Sequence, residues 1–270
     1  MLKNVTDFRK KLLKKFSHSP TSRQSKLFVM LVDFVFSKDY QTLFLMKGYA
    51  GTGKTSAISA LVTTLRETEK KSVLLAPTGR AAKVISVYSK KQAFTIHKKI
   101  YFPKKQQNGS VDFVLQTNKH KNTIFIVDEA SMIPDRPQNG KLFENGSLLD
   151  DLISYVYSGY HCKLILIGDT AQLPPVKLSI SPALDENRLE IDYDKNVFKI
   201  ELNEVTRQHE NSGILLNATL LRTLIENDAT NFRFDMNYPD IVRLIDGYDI
   251  QDAISGCYDN DGVEDTAFIV

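Results

Sequence analysis

The sequence predicts an α/β protein in which helices flank a parallel β-sheet and a small β-hairpin is inserted. Short apolar segments of strand length alternate with segments whose apolar residues recur at helical spacing, a pattern typical of parallel sheets. Loops at the carboxyl ends of such strands are where open α/β sheets bind ligands. The predicted core strands are Leu43–Met46, Ser72–Ala76, Thr123–Val127, Lys163–Ile167 and Val197–Leu202.

Composition is that of an ordinary globular protein: 270 residues, of which 42% are hydrophobic. No apolar run approaches the ~20 residues of a membrane span, and the basic N-terminus lacks the apolar core of a signal peptide. Cys162 and Cys257 are too few and too far apart for a disulfide framework or a zinc site. We therefore expect a cytoplasmic protein that has no membrane partner.

Charge is distributed unevenly along the chain. Between Arg80 and Lys121 there are ten Lys or Arg residues and one acid, Asp112, whereas residues 226–270 carry eleven acids and two arginines. This distribution indicates that the basic stretch faces a polyanion. A solvated lysine-rich surface explains the charge alone equally well.

The first motif follows the first predicted strand. Gly48, Gly53, Lys54 and Thr55 fit the phosphate-binding pattern G-x-x-x-x-G-K-[ST], in which glycines let backbone N–H groups surround a phosphate at a helix N-terminus. A strand before the motif and a helical run after it (Ser56–Leu65) argue against a chance glycine-rich turn. The predicted nucleotide-binding residues are Gly48, Tyr49, Ala50, Gly51, Thr52, Gly53, Lys54, Thr55 and Ser56.

Two further groups complete the predicted nucleotide site. Lys54 can reach the outer phosphates of ATP, and the Thr55 hydroxyl can join the ligands of Mg²⁺. Gln24 lies in the first turns of a helix that begins near Thr21, just before the phosphate-loop strand, so its amide could read the edge of an adenine. We expect ATP and Mg²⁺ as cofactors.

The basic stretch begins with a turn, Pro77-Thr78-Gly79-Arg80, that follows the second predicted strand and offers backbone donors, a hydroxyl and a guanidinium to phosphate oxygens. Thr95 and His97 precede two lysines, although His97 taken alone is more often structural. Residues from about 100 to 121 read as a small basic hairpin, in which aromatic residues beside lysines can stack on unpaired bases.

Polar residues also follow the later strands. Asp128 ends an apolar strand, where an acid holds Mg²⁺ in phosphate-loop enzymes, and Glu129 is placed to polarise the attacking water. Two acids that merely cap a strand are the alternative. Gln172 could reach a terminal phosphate, and Arg207 could stabilise its charge in the transition state, although Arg207 could also be an ordinary surface arginine.

These motifs together resemble the superfamily-1 DNA helicases of the RecD-like group, the 5′-to-3′ branch. Six of them occur in the family's order within residues 48–208: Gly-Tyr-Ala-Gly-Thr-Gly-Lys-Thr, Ala-Pro-Thr-Gly-Arg-Ala-Ala, Thr-Ile-His, Asp-Glu-Ala-Ser, Gly-Asp-Thr-Ala-Gln-Leu-Pro-Pro-Val and Arg-Gln. The resemblance implies a phosphate-loop NTPase domain of the RecA-like type that couples ATP hydrolysis to movement on single-stranded DNA and to duplex unwinding.

The resemblance also implies residue roles. Lys54 and Thr55 would bind phosphate and Mg²⁺, Asp128 would bind Mg²⁺, and Glu129 would activate water. Gln172 would couple phosphate sensing to DNA, and Arg207 would contact the γ-phosphate. The DNA-contacting motifs match Pro77, Thr78, Gly79, Arg80, Thr95 and His97, and the hairpin matches a strand-separating pin.

We expect residues 1–225 to form the first RecA-like domain and residues 226–270 to begin a second, truncated one, because Ala267–Val270 resembles a core strand whose loop is missing. Family members bind ATP between two such domains. We therefore expect a monomer that lacks its second motor domain in cis, hydrolyses ATP slowly and does not unwind duplex DNA.

Two readings from other classes stay open. One is a phosphate-loop nucleotide kinase or metabolic ATPase that does not act on DNA, which shares Lys54, Thr55 and Asp128 but gives no reason for the basic stretch. The other is a nucleotide-gated binding module without turnover, against which the intact Glu129 argues.

Overall fold

A computed structural model of the protein describes residues 4–105, 111–135, 147–172, 174, 175, 178, 180–204, 212–227 and 231–262. The helices are α1 (Val5–Lys15), α2 (Ser22–Phe36), α3 (Lys54–Leu65), α4 (Gly79–Ser89), α5 (Ile96–Ile100), α6 (Leu148–Ser158), α7 (Glu186–Ile191), α8 (Gly213–Glu226) and α9 (Gly247–Asp261). The strands are β1 (Thr42–Gly48), β2 (Lys71–Ala76), β3 (Ala93–Thr95), β4 (Tyr101–Lys105), β5 (Val111–Leu115), β6 (Thr123–Val127), β7 (Lys163–Gly168) and β8 (Asn196–Leu202).

The main sheet has six strands in the order β3-β2-β6-β7-β1-β8, and every neighbouring pair is parallel. This confirms the predicted α/β fold, and each of the five predicted core strands lies in the sheet. The short edge strand β3 was not predicted, because its three residues are only half-buried and lack an apolar run. Since all strands run the same way, their carboxyl ends lie at one edge of the sheet.

Both faces of the sheet are covered, so its central strands are apolar on both sides, as parallel sheets require. Along β1, Phe44 and Met46 pack into a core with α1, α2 and α3, whereas Leu43 and Leu45 pack into a second core with α6. The side-chain period of 2 in a strand produces this alternation. The apolar run of β1 therefore fixes the strand between two cores and holds the loop that follows it.

The predicted hairpin is present beside this sheet. β4 and β5 pair antiparallel, from Tyr101 opposite Leu115 to Lys105 opposite Val111. Tyr101, at its base, is buried and donates a hydrogen bond of 2.5 Å to Asp151 of α6. The hairpin is thus anchored to the domain by a buried polar contact as well as by its strand pairing.

The chain divides into two units, residues 1–207 and residues 208–270. In the second unit, Ser212 is the N-cap residue of α8, and its hydroxyl donates a hydrogen bond to Asp240. Gly213, the first residue of α8, packs so closely against Tyr238 that a Cβ at this position would lie 2.4 Å from the Tyr238 side chain. The predicted boundary at residues 225/226 falls at the end of α8, and the assignment of a second RecA-like domain stays a prediction. The predicted strand at Ala267–Val270 lies outside the described residues.

Within the described part of the chain, no helix is both long and apolar enough to span a bilayer.

Candidate functional site

The phosphate-binding motif forms the loop between β1 and α3. Gly51 and Gly53 have φ values of 80° and 85°, in the left-handed region that glycine adopts most readily. The Thr52 hydroxyl donates 2.7 Å to the carbonyl of Tyr49 and closes the turn. Helix α3 begins at Lys54, two residues before the predicted start, and its N-cap residue Gly53 has no side-chain cap. The start of α3 therefore has no side-chain cap at Gly53, and such a helix N-terminus is suited to an anion.

Lys54 lies across the entrance of this loop. Its Nζ donates hydrogen bonds of 2.6 Å to the carbonyl of Gly48 and 2.8 Å to that of Tyr49. These bonds hold the ammonium group beside the backbone donors of the loop. A cation and several N–H donors therefore converge on the space that a phosphate group requires.

Strand β8 forms one wall of the loop. The N–H of Tyr49 donates a hydrogen bond of 3.2 Å to the carbonyl oxygen of Leu202. A Cβ on Gly48 would lie only 2.8 Å from the same oxygen. Gly48 is thus required by close packing of the two strands as well as by the motif. The start of the loop cannot move without moving the end of β8.

Gln24 contacts the phosphate loop directly. It is buried, and its Nε2 donates 2.9 Å to the carbonyl of Thr52. The Oε1 of Gln24 accepts a hydrogen bond of 3.0 Å from the N–H of Thr21, and the Thr21 hydroxyl accepts one from the N–H of Gln24. These two reciprocal hydrogen bonds form a capping box at the start of α2. These bonds fix which end of the amide is the donor.

A cavity of about 450 Å³ adjoins the loop and Gln24, a volume within the range of small-ligand sites. Its lining residues are Phe16, His18, Ser19, Gln24, Gly51, Gly53, Lys54, Thr55 and Ser56. The first three come from the end of α1 and the link to α2, which the sequence analysis did not assign to a site. The aromatic Phe16 and His18 contact each other at a centroid distance of 6.2 Å.

The predicted acid pair lies at the end of β6. Asp128 is partly buried, and burial, followed by the charge of Glu129, raises its pKa to about 6, although Lys54 opposes this shift. Glu129 is a non-glycine residue in the left-handed region, with φ of 56°, a conformation that is uncommon and concentrated at functional sites.

Gln172 lies in the turn after β7. The side chain of the buried Asp169 accepts a hydrogen bond of 2.9 Å from the N–H of Ala171. The backbone carbonyl of Asp169 accepts a hydrogen bond of 3.2 Å from the N–H of Gln172. The amide oxygen of Gln172 then accepts 3.0 Å from the hydroxyl of Ser131, three residues after Asp128. The turns after β6 and β7 are thus joined by one side-chain hydrogen bond.

The strand order explains why these groups meet. β7 lies between β6 and β1, so the turn with Gln172 separates the acid pair from the phosphate loop. Residues 48–56, 128–129 and 172 therefore lie at one edge of the sheet, and their role as a nucleotide site stays a prediction. The oxygen ligands of Thr55 and Asp128 suit Mg²⁺, and the glycine turns with the uncapped helix start suit a phosphate chain.

The predicted DNA-contacting residues lie at the same edge, after β2 and β3. Thr78 caps α4 by accepting from the N–H of Ala81 at 3.2 Å, and Arg80 is exposed in the first turn of that helix. Thr95 caps α5, which contains His97. Burial lowers the pKa of His97, so its imidazole favours the neutral form. The DNA-contacting role of these residues stays a prediction.

Arg207 lies outside the described residues, so its predicted role at the γ-phosphate stays a prediction. Three contributors were not predicted: Ser131, Glu204 and the cavity wall around Phe16. The capping box of Thr21 and Gln24 was visible in the sequence as T-x-x-Q. The contact of Glu204 with α2 spans 182 residues of sequence, and no local pattern indicates such a contact.

Comparison with known proteins agrees with this geometry. The sequence profile of the AAA domain family matches residues 34–178, more than half of the chain. The ATP-dependent RecD2 DNA helicase of Deinococcus radiodurans is 29% identical over 135 residues, covering 50% of this chain and 16% of that protein. The ATP-dependent DNA helicase dda of Enterobacteria phage T4 is 30% identical over 197 residues, covering 70% of this chain and 40% of that protein.

Among solved structures, the Pif1 helicase from Candida albicans aligns with a TM-score of 0.48 and 17% identity, covering 83% of this chain and 46% of that one. The chain spans between 13% and 40% of the length of the curated relatives it matches. The similarity to RecD2 confirms the resemblance to RecD-like helicases predicted from the six motifs.

Proposed function

The chain belongs to the AAA domain family, and we propose that it is the ATP-binding motor domain of a DNA helicase, which couples ATP hydrolysis to translocation on single-stranded DNA and to duplex unwinding. One observation carries this proposal. Three adjacent strands, β6, β7 and β1, end in an acid pair, a glutamine and a phosphate loop at the same edge of the sheet. A nucleotide-hydrolysing site requires these three groups together.

The phosphate chain of ATP binds to the N–H groups at the start of α3 and to the ammonium of Lys54. Thr55 and Asp128 would hold Mg²⁺, which would neutralise charge on the phosphate oxygens. Glu129 accepts the proton of the attacking water as general base. Arg207 adds positive charge at the terminal phosphate, the predicted role for a residue outside the described part of the chain.

Gln24 recognises the base. Its Nε2 has a second hydrogen beyond the one donated to Thr52, and its Oε1 has a second lone pair beyond the one bonded to Thr21. An adenine offers an acceptor at N7 and a donor at N6, which match this remaining donor and acceptor. The base then lies in the cavity beside Phe16 and His18.

Single-stranded DNA is the proposed partner. Its phosphates lie against the helix start that Thr78 caps and against the exposed Arg80, while Thr95 and His97 contact it farther along the edge. The Ser131–Gln172 hydrogen bond joins the acid pair to the turn after β7. A change at the terminal phosphate can therefore move the turn after β7 through this hydrogen bond.

The catalytic assignment is tested with Glu129→Gln. Removal of the general base lowers steady-state ATP turnover at least roughly 100-fold, while equilibrium ATP binding stays close to that of the wild type. The matched control is Glu69→Gln, because Glu69 is exposed in the turn before β2. Turnover that is unchanged in Glu129→Gln, with ATP still bound, contradicts the assignment of Glu129 as the general base. A wild type that binds ATP and does not turn it over favours the nucleotide-gated module.

A further inference from the structure

One carboxylate contacts two consecutive residues immediately before Gln24. Glu204 accepts a hydrogen bond of 2.8 Å from the hydroxyl of Ser22 and one of 3.3 Å from the N–H of Arg23. The side chains of Thr21 and Ser22, in that order, hold the pKa of Glu204 below its usual value. The start of α2 is therefore bound to a single side chain.

Glu204 supplies what α2 lacks. The first turn of α2 contains no acidic residue, although a negative charge at a helix N-terminus satisfies its exposed N–H groups and its dipole. Glu204 provides that charge from two residues beyond β8. The capping box of Thr21 and Gln24 adjoins this contact, because the Thr21 hydroxyl accepts from the N–H of Gln24 and the next residue, Ser22, donates to Glu204.

These contacts form a closed ring around the phosphate loop. Leu202, two residues before Glu204, accepts from Tyr49 at the start of the loop, and Gln24 donates to Thr52 within it. Glu204 connects the two sides by holding α2 to the end of β8. A shift of α2 would thus displace the Gln24 amide relative to the loop that holds the phosphates.

The orientation of that amide determines which base it accepts. The backbone N–H of Thr21 can bond only to Oε1, and the carbonyl of Thr52 can bond only to Nε2, so the two ends cannot exchange. Adenine presents a donor and an acceptor, whereas guanine presents two acceptors on the same edge. Oε1 facing the O6 of guanine is repelled.

We propose that Glu204 is a positioning residue for base recognition: by holding the first turn of α2 to the end of β8, it keeps the Gln24 amide in the orientation that binds adenine and rejects guanine. This inference rests on the proposed function of the site as an ATP site. It assigns Glu204 no contact with the nucleotide.

The test compares equilibrium dissociation constants of ATP, GTP and inorganic tripolyphosphate, each with Mg²⁺, for the wild type and Glu204→Ala. The variant reduces the preference for ATP over GTP roughly threefold to tenfold. Tripolyphosphate affinity is unchanged, because the phosphate loop is intact. Glu204→Gln keeps an acceptor oxygen and restores part of the preference.

Two variants extend the test. Thr21→Val removes the hydroxyl that accepts from the N–H of Gln24 beside Glu204, and it lowers the preference in the same direction. In Gln24→Ala the preference is already lost, so adding Glu204→Ala lowers it no further. Glu201→Ala is the matched control, because Glu201 is an exposed acid near the end of β8, three residues before Glu204; it behaves as the wild type.

The inference is overturned if Glu204→Ala keeps the wild-type preference, or if ATP, GTP and tripolyphosphate affinities all fall equally. Equal binding of ATP and GTP by the wild type overturns it too. A wild type that binds no nucleotide contradicts the proposed function as well, whereas the first three outcomes leave that function standing.

Discussion

The carboxylate of Asp128 is partly buried at the end of β6, and burial together with the neighbouring charge of Glu129 raises its pKa to about 6. In the unfolded chain the same carboxyl has a pKa near 3.8, the ordinary value for aspartate. At neutral pH the folded protein therefore holds an unfavourable charge, which binding of a cation would relieve. Asp128 therefore lowers the folding stability of the protein at the position where its carboxylate is proposed to bind a cation.

Asp128→Asn should therefore stabilise the protein when nucleotide and metal are absent. Because the folded pKa lies above the unfolded one, the charge costs stability above pH ~6, and the cost fades as pH falls towards 4. The expected gain in the free energy of unfolding is about 1–3 kcal/mol at pH 7.5 and roughly half of that at pH 5. Chemical denaturation at both pH values measures it, and an equal gain at both would contradict the electrostatic explanation.

At the level of elements, a buried hydrogen bond at its base helps to anchor the hairpin of β4 and β5. The hydroxyl of Tyr101 donates to Asp151, which is fully buried in α6. Burial and this hydrogen bond both raise the pKa of Tyr101, so the hydroxyl keeps its proton over the whole accessible pH range.

Tyr101→Phe should destabilise the protein by about 1–3 kcal/mol, because it removes the donor from a buried carboxylate. The midpoint of chemical denaturation measures the loss. Tyr160→Phe is the control, since Tyr160 is 59% exposed and its variant should lie within about 0.5 kcal/mol of the wild type. A Tyr101→Phe variant as stable as the control would show that strand pairing alone anchors the hairpin.

The elements were also the part of the structure that the sequence predicted best. Strands such as β1 and β6 are continuous apolar runs followed by polar motifs, and both features are local. The edge strand β3 has neither feature, so it was missed. The start of α3 was placed two residues late because the left-handed Gly53, which ends the turn, cannot be distinguished by sequence from the other glycines of the loop.

The site was predicted where one motif carries one role, as for Lys54 and Asp128. Contacts between distant segments were not predicted. Ser131 meets Gln172 across two strands, and Glu204 meets Ser22 across 182 residues. Both are polar residues of ordinary composition, and only the strand order and the packing of α2 against β8 bring them to their partners.

At the level of the whole molecule, the residues proposed to bind nucleotide and those proposed to bind single-stranded DNA lie at one edge of one sheet. The nucleotide groups follow β1, β6 and β7, and the residues proposed to contact DNA follow β2 and β3. β2 and β6 are neighbours, and the N–H of Asp128 donates 3.0 Å to the carbonyl of Leu75 on β2. The acid pair is therefore bonded directly to the strand that precedes the Pro77–Arg80 turn.

This arrangement predicts coupling between the two ligands, and coupling of binding is reciprocal. The measurement is the equilibrium dissociation constant of ATP, with Mg²⁺, in the absence and in the presence of saturating single-stranded DNA. We predict that single-stranded DNA shifts the dissociation constant of ATP roughly fivefold or more. ATP should shift the dissociation constant of DNA by the same factor. Arg80→Ala should weaken DNA binding and leave ATP affinity without DNA unchanged, whereas Arg9→Ala, which replaces an exposed arginine of α1, serves as the control. ATP that binds with the same affinity whether or not DNA is present would contradict the helicase proposal and favour an ATPase or kinase that does not act on DNA.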